Sequence, residues 1–210
     1  MGAARSVIVL AARTAAAVLL AVAMAGCAKG PPRNLDNACA IFRERGGWWE
    51  AAQESYERWG VPEAVQLAVV YQESRFRHDS RPARRKLLWF FPWKRPTSAY
   101  GYGQATDGTW RDYQRDTGKR GADRDDFEDV ADFIGWYGHR AHRAAQVSKT
   151  DAYHFYLAYH EGPAGYRSGS YWKKPWLQAV ARKVSNRASR YERQYASCRD
   201  DLPRKRFWLF

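Results

Sequence analysis

Glu73 is the residue best placed for chemistry in this chain. Val65, Val69 and Glu73 are spaced i, i+4, i+8 within residues 62–75 (PEAVQLAVVYQESR), so the carboxylate ends an apolar stripe on one face of a predicted helix. A carboxylic acid in that position is partly desolvated. Loss of water disfavours the ionised form, raises the pKa and lets the group hold a proton near neutrality, as a general acid must. Arg75 and Arg77 belong to other faces of the helix. A Glu near a helix end is equally compatible with a solvated surface residue, so the assignment needs partners elsewhere in the chain. Metal chemistry has little to build on. Residues 123–132 (DRDDFEDVAD) hold six acids but lack the central Gly and terminal Glu of a calcium loop, and read as a capped helix start. His139 and His142 lack a third ligand, and there is no CxxC or CxxH spacing for zinc. No metal and no cofactor is expected.

The elements that must hold Glu73 are helical. Residues 37–60 suggest one or two helices broken near Gly46 and Gly47. Pro62 and Glu63 start the helix that carries Glu73. A Gly-rich turn at 100–104 leads into another helix. Residues 125–143 begin acidic and end basic, as the helix dipole prefers. Residues 150–159 form a helix capped by Thr150 or Asp151, Gly162, Gly165 and Gly169 mark a loop, and residues 175–196 form the last long helix. No repeat and no strong alternating strand pattern is present. The expectation is a mostly α, single-domain protein, which suits a chain of 210 residues.

Net charge is +13, and aromatic residues make up 15% of the chain, with ten Trp. Nucleic-acid binders, membrane-surface proteins and carbohydrate binders share that composition. The N-terminus narrows the choice. A basic segment at 1–13, a short apolar run at 14–23 and Met24-Ala25-Gly26-Cys27 make an export signal, too short for a transmembrane helix. The small residues before Cys27 resemble the lipobox of bacterial lipoproteins. That resemblance implies cleavage after residue 26, lipid on Cys27, and sorting to the periplasmic face of an outer membrane, since Ala28 rather than Asp follows. An ordinary cleaved signal and a soluble periplasmic protein is the alternative. Loss of Arg5 and Arg13 from the +13 leaves +11. Export makes a nucleic-acid partner unexpected. Residues 27–36 read as a tether, 37–200 as the folded domain and 201–210 as a basic-hydrophobic tail. Cys39 and Cys198, near the two ends of the domain, are expected to pair in an oxidising compartment, with two free buried thiols as the alternative.

Three short motifs then arrive in order: Glu73-Ser74-Arg75-Phe76, Gly101-Tyr102-Gly103-Gln104 with Thr109-Trp110 after it, and Ala158-Tyr159-His160-Glu161-Gly162. Together they resemble the lytic transglycosylases of the soluble-lytic-transglycosylase (SLT) group, over roughly residues 59–165. The resemblance implies a goose-type, lysozyme-like domain that acts on peptidoglycan glycan strands as a monomer. It implies Glu73 as the single catalytic acid, with Ser74, Tyr102, Gln104, Tyr159 and His160 as substrate-binding or positioning residues. Tyr102-Gly103 stands where that family has Leu-Met, His160 where it has Asn, and Glu161 where it has a small residue. Tyr100, Tyr102 and Tyr166 are candidates to stack on sugars, although core packing is the commoner use of a Tyr.

The implied reaction breaks the β-1,4 bond between N-acetylmuramic acid (MurNAc) and N-acetylglucosamine (GlcNAc) without water and leaves a 1,6-anhydro-MurNAc end, which needs only one carboxylate. Two alternatives stay open. A hydrolytic, goose-lysozyme-like muramidase needs a further acid, for which Asp107, Asp112 or Glu161 can be nominated. A non-catalytic peptidoglycan-binding lipoprotein needs no acid at position 73.

Between the first two motifs, Glu73 and Gly101 are 28 positions apart, and an insert at about 81–97 fills that gap. Its centre carries Leu87, Leu88, Trp89, Phe90, Phe91 and Trp93 around Pro92, between Arg84, Arg85, Lys86 and Lys94, Arg95. The run is too short to span a membrane, and Pro92 disfavours a core strand. It is a wall or lid on the glycan cleft, a contact with the membrane that holds Cys27, or a satellite core on its own domain.

Overall fold

The structure is a computed structural model and describes residues 30–84, 86–87, 91–92 and 95–202. Cys27 with the export signal, the tail from residue 203, and Arg85, Leu88, Trp89, Phe90, Trp93 and Lys94 of the insert lie outside the described residues. The chain divides after Gly30, and the unit that begins at Pro31 is described by itself.

Seven α-helices carry this unit among the described residues: α1 (Ala38–Glu44), α2 (Trp48–Trp59), α3 (Glu63–Ser74), α4 (Asp107–Thr117), α5 (Phe127–Ala145), α6 (Ala152–Arg167) and α7 (Pro175–Ala196). Short 3-10 turns cover Ser170–Lys173 and Arg199–Asp201. The fold is the mostly α, lysozyme-like domain expected from the sequence. No helix of the described residues is long and apolar enough to cross a membrane.

Side chains end most of these helices as the sequence suggests. Asn37 accepts from the Ala40 amide at the start of α1, and Thr106 caps α4 through Thr109. Asp126 caps α5 through Glu128 and Asp129, which fixes the use of one acid from the 123–132 run. At α6 the cap is Asp151, not Thr150. Each such bond satisfies an amide that has no partner inside its helix.

The core is built around α3. Every residue from Glu63 to Val70 is buried, so this helix is enclosed on all sides and the Val65–Val69 stripe is only part of its apolar surface. Helix α3 packs along α7, α2 along α5, and α6 between α5 and α7. One buried acid is used structurally. Asp132 of α5 accepts from Trp59 Nε1 at 2.7 Å and from the Tyr113 hydroxyl at 2.8 Å, with Lys119 Nζ at 3.0 Å. Burial pushes its carboxyl up, but these partners and the Lys119 charge outweigh that and hold it below its ordinary value.

Two features depart from the expected pattern. Helix α6 does not stop before the glycines. Gly162 turns the chain (φ 75°, ψ 159°), and Pro163 then opens a second helical segment that runs to Arg167. A Pro tolerates a first helical turn because its missing N–H would have no partner there. The insert also forms a minimal antiparallel pair, β1 (Lys86–Leu87) with β2 (Phe91–Pro92), in the register Lys86 opposite Pro92 and Leu87 opposite Phe91. Both strands of such a pair are edges, which is the setting where a Pro is accepted.

The ends of the domain are tied together. Cys39 of α1 is bonded to Cys198, 159 residues later. The Ala38 amide donates to Gln194 Oε1 at 3.0 Å, Gln194 Nε2 to the Asp36 carbonyl at 3.1 Å, and Arg187 pairs with Asp36 at 2.7 Å. Cross-linking a loop of this length stabilises by up to about 5 kcal/mol through the chain entropy removed from the unfolded state. Urea unfolding of a Cys39→Ala/Cys198→Ala variant is expected to show a loss approaching that figure. A loss under about 1 kcal/mol places the stability of the α1–α7 junction in its hydrogen bonds instead.

Candidate active site

Three chain segments meet at the C-terminal end of α3. The helix ends abruptly there. Glu73 and Ser74 close its last turn, and Arg75 and Phe76 both adopt left-handed backbone conformations, with φ of 51° and 59°. Two consecutive non-Gly residues in that region are unusual and are kept only where packing enforces them. Phe76 supplies the packing: it is fully buried, stacks on Trp48 at 5.8 Å and meets Tyr71 edge-on at 6.4 Å. Arg75 is drawn back over the Tyr71 ring at 5.1 Å, and Arg77 pairs with Asp79.

The Glu73 residue is partly exposed, but its carboxyl group is desolvated, and burial pushes it up to about 7. The opposing influence is a hydrogen bond donated by the Tyr156 hydroxyl, which favours the ionised form. Burial and the negative charge of Glu73 push Tyr156 well above its usual value, so this phenol stays a donor throughout the physiological range. Tyr156 was not identified from the sequence. It lies on α6, three residues before Tyr159, in a helix that also carries Tyr153 and Phe155.

Helix α6 joins the third motif to the second. The Tyr159 hydroxyl donates to the Gly103 carbonyl at 2.6 Å. Burial raises the Tyr159 pKa well above its usual value, and the nearby Glu73 charge adds to this. The turn that carries Gly103 is tightly held. Gly101 has φ 76°, and a Cβ there would lie 1.8 Å from the Arg124 carbonyl oxygen, so only glycine fits. The Gly101 amide donates to the Ser80 carbonyl at 3.0 Å, and the Tyr102 amide to the Arg124 carbonyl at 3.0 Å. Gln104, at φ 49°, turns its amide nitrogen inward to the Ser80 and Gly101 carbonyls, both at 2.9 Å.

The other residues singled out from the sequence occupy varied positions. Ser74 is buried, and its hydroxyl donates to the Val70 carbonyl at 3.1 Å within α3. Tyr102 is buried edge-on against Trp48 (5.5 Å) and Phe127 (5.9 Å), and burial lifts its phenol to about 12. Trp48, stacked at 4.0 Å on Phe127, therefore clasps one residue of the first motif and one of the second. Tyr100 bonds Asp125 at 3.2 Å beneath Arg81, and Tyr166 bonds His154 at 2.8 Å. His160 is exposed, with Nδ1 3.0 Å from Glu161 Oε1. The Glu161 side chain is only 5% exposed and receives Lys174 Nζ at 2.7 Å as well as the Ser170 hydroxyl. Burial pushes Glu161 up, but its bonds from Lys174, Ser170 and His160 bring it down to about 2.

Two carboxyls of the motifs thus differ sharply: Glu73 titrates near neutrality and Glu161 is strongly ionised. The first has a consequence for stability. The folded pKa of Glu73, about 7, exceeds its unfolded value of 4.5, so the folded state keeps a proton that the unfolded state loses between those pH values. Stability falls as pH rises through that window, by up to about 3 kcal/mol once the window is passed. A Glu73→Gln variant is expected to unfold like the wild type at pH 4 and to be more stable than it at pH 8. Equal urea midpoints at pH 8 contradict a desolvated Glu73.

No curated protein matches this chain. The family model described as the Transglycosylase SLT domain matches residues 15–198 and so includes all three motifs and the helices that bring them together. By that match the chain belongs to the transglycosylase SLT domain family, whose members act on peptidoglycan.

Proposed function

We propose that this protein is a lytic transglycosylase that cleaves the MurNAc–GlcNAc β-1,4 bond of peptidoglycan without water, with Glu73 as its one catalytic acid. The observation that carries the reading is the Glu73 carboxyl itself, desolvated, shifted to about 7 and bonded by Tyr156. In this mechanism protonated Glu73 gives its proton to the glycosidic oxygen as the bond to C1 of the muramic sugar breaks. The transition state is oxocarbenium-like. The Glu73 carboxylate, stabilised by the Tyr156 hydroxyl, then takes the proton of the C6 hydroxyl, whose oxygen closes onto C1. One group acts first as acid and then as base, and the product carries a 1,6-anhydro ring.

The carboxylates nominated for a hydrolytic route are engaged elsewhere. Asp107 pairs with Arg124 at 2.9 Å, Asp112 with Arg115 and Arg140 at 2.8 and 3.1 Å, and Glu161 with Lys174. This supports a mechanism that needs no second acid. The same reading makes the protein an exported lipoprotein, anchored through Cys27 at the periplasmic face of the outer membrane, with the +11 mature charge suited to anionic stem peptides and headgroups.

Mass spectrometry of sacculi digested with the protein is expected to show 1,6-anhydro-MurNAc ends, and Glu73→Gln to abolish them. Reducing ends establish a muramidase instead, and equal digestion by both proteins removes Glu73 from the chemistry.

The acid form must be present at the start of the reaction, so kcat/KM is expected to fall above about pH 7. Tyr156→Phe removes the bond that favours the carboxylate, so it raises the Glu73 pKa and moves this descending limb to higher pH. The variant also lowers kcat, because the carboxylate that accepts the C6 proton loses its donor. A limb that stays in place, or moves to lower pH, is evidence against this role for Tyr156.

A further inference from the structure

Trp172 and Trp176 are the two most exposed large apolar residues among the described residues, at 67% and 55%. Burying a Trp side chain is strongly favourable, so two indoles left in water within four residues call for an explanation. Trp172 belongs to the 3-10 turn after α6, and Trp176 to the first turn of α7. Neither is loosely attached. The Trp172 ring rests on Tyr171 at 4.9 Å, and Tyr171 stacks on Tyr166 at 5.3 Å. The Trp176 ring meets His160 edge-on at 5.2 Å. Lys174, between the two, reaches both Glu161 oxygens, at 2.7 and 2.9 Å, and the Ser170 hydroxyl bonds the same carboxylate.

Their location relative to Glu73 follows from helix geometry. Tyr156, which bonds Glu73, and His160 are four residues apart on the same face of α6, before the Gly162 kink. From the acid a line of contacts therefore runs inward to buried Tyr156, one helical turn along α6 to exposed His160, and from His160 to the Trp176 ring.

We propose that Trp172 and Trp176 form an aromatic platform that binds a sugar of the glycan strand beyond the pair whose bond is cut. This rests on the glycan-cleaving function proposed above. A pyranose in a β-1,4 chain presents a flat C–H face, which suits an exposed, preorganised indole with little rotamer freedom to lose. Exposed Lys173 suits the carboxylates of the stem peptides that the muramic sugars bear. Glu161 acts as a positioning residue, because its bonds to Lys174 and Ser170 tie the platform to the third motif.

A platform distant from the cleaved bond is useful only to strands long enough to reach it. For Trp172→Ala/Trp176→Ala in the full-length protein, the ratio of kcat/KM on long glycan strands to that on a short oligosaccharide is expected to fall roughly tenfold, mainly through KM. Trp172→Phe/Trp176→Phe keeps a stacking face and is expected to recover most of the ratio, which a general folding defect could not do. Binding to purified sacculi is measured in parallel in a Glu73→Gln background. Loss of binding on Trp→Ala supports the platform even when the parent cleaves nothing, and so separates it from the catalytic reading. Unchanged sacculus binding, as expected if the indoles serve a lipid surface, overturns the proposal. So does an equal fall on long and short substrates.

Discussion

The structure depends on keeping a carboxyl group out of water without giving it a cation. Removing a carboxylate from water is costly, and an oppositely charged neighbour would lower its pKa and defeat an acid. Among the described residues, the counterweight to burial at Glu73 is the Tyr156 hydroxyl, a neutral donor. A phenol can accompany the group through both protonation states, since it donates to the carboxylate and stays compatible with the acid. The nearby arginines are held away by other partners, Arg75 by the Tyr71 ring and Arg77 by Asp79. The largely buried α3 provides the desolvation, and α6 provides the donor. Helices α3 and α6 each pack on α7, which holds the two together, and the Cys39–Cys198 bond ties α1 to the segment after α7.

The remaining motif residues make the walls of the site. The Gln104 amide nitrogen is committed to two backbone carbonyls and the Tyr159 hydroxyl to a third, so each stabilises the turn at 101–104. That turn has one side fixed by Arg124 and the other by Ser80, and its Tyr102 ring enters the same aromatic cluster as Phe76. Short motifs far apart in the chain are therefore joined by backbone acceptors and ring packing. Substitutions at Gly101 or Trp48 reach the acid through this geometry, though neither residue bonds Glu73.

How much of this was legible in the sequence differs from residue to residue. Glu73 could be found because its spacing from Val65 and Val69 and its place in an ordered set of motifs agreed. Helix ends could be found where a short polar side chain stood before an apolar period, as at Asp126 and Asp151. Tyr156 could not. In DAYHFYLAYH aromatic residues fill most turns of the helix, and periodicity does not say which hydroxyl meets an acid contributed by a helix about eighty residues earlier. The only available signal was its spacing, one turn before Tyr159. The continuation of α6 past Gly162 was hidden because glycines were read as loop, whereas one of them makes a kink and Pro163 restarts the helix. The aromatic candidates Tyr102 and Tyr166 were ambiguous for a related reason: composition identifies rings without saying which face the core and which face water.

The departures of the third motif from its family pattern fit a single physical account. An acid at position 161, in the third motif, would compete with Glu73 for protons if it were left desolvated and unpaired. Lys174, Ser170 and His160 instead bring it to about 2, so between about pH 2 and 7 it is ionised while Glu73 holds its proton. Environments that drive two carboxyl groups apart in this way assign them different tasks. Glu73 titrates where proton transfer is useful, and Glu161 serves as a fixed anion. The anion needs a cation, and the cation it has is Lys174, which stands between two exposed indoles. An otherwise costly buried charge is thereby converted into an anchor that sets the edge of the surface beyond His160. The Glu at 161 and the Lys at 174 are then two halves of one interaction, and removing Lys174 takes from the buried carboxylate its closest cation.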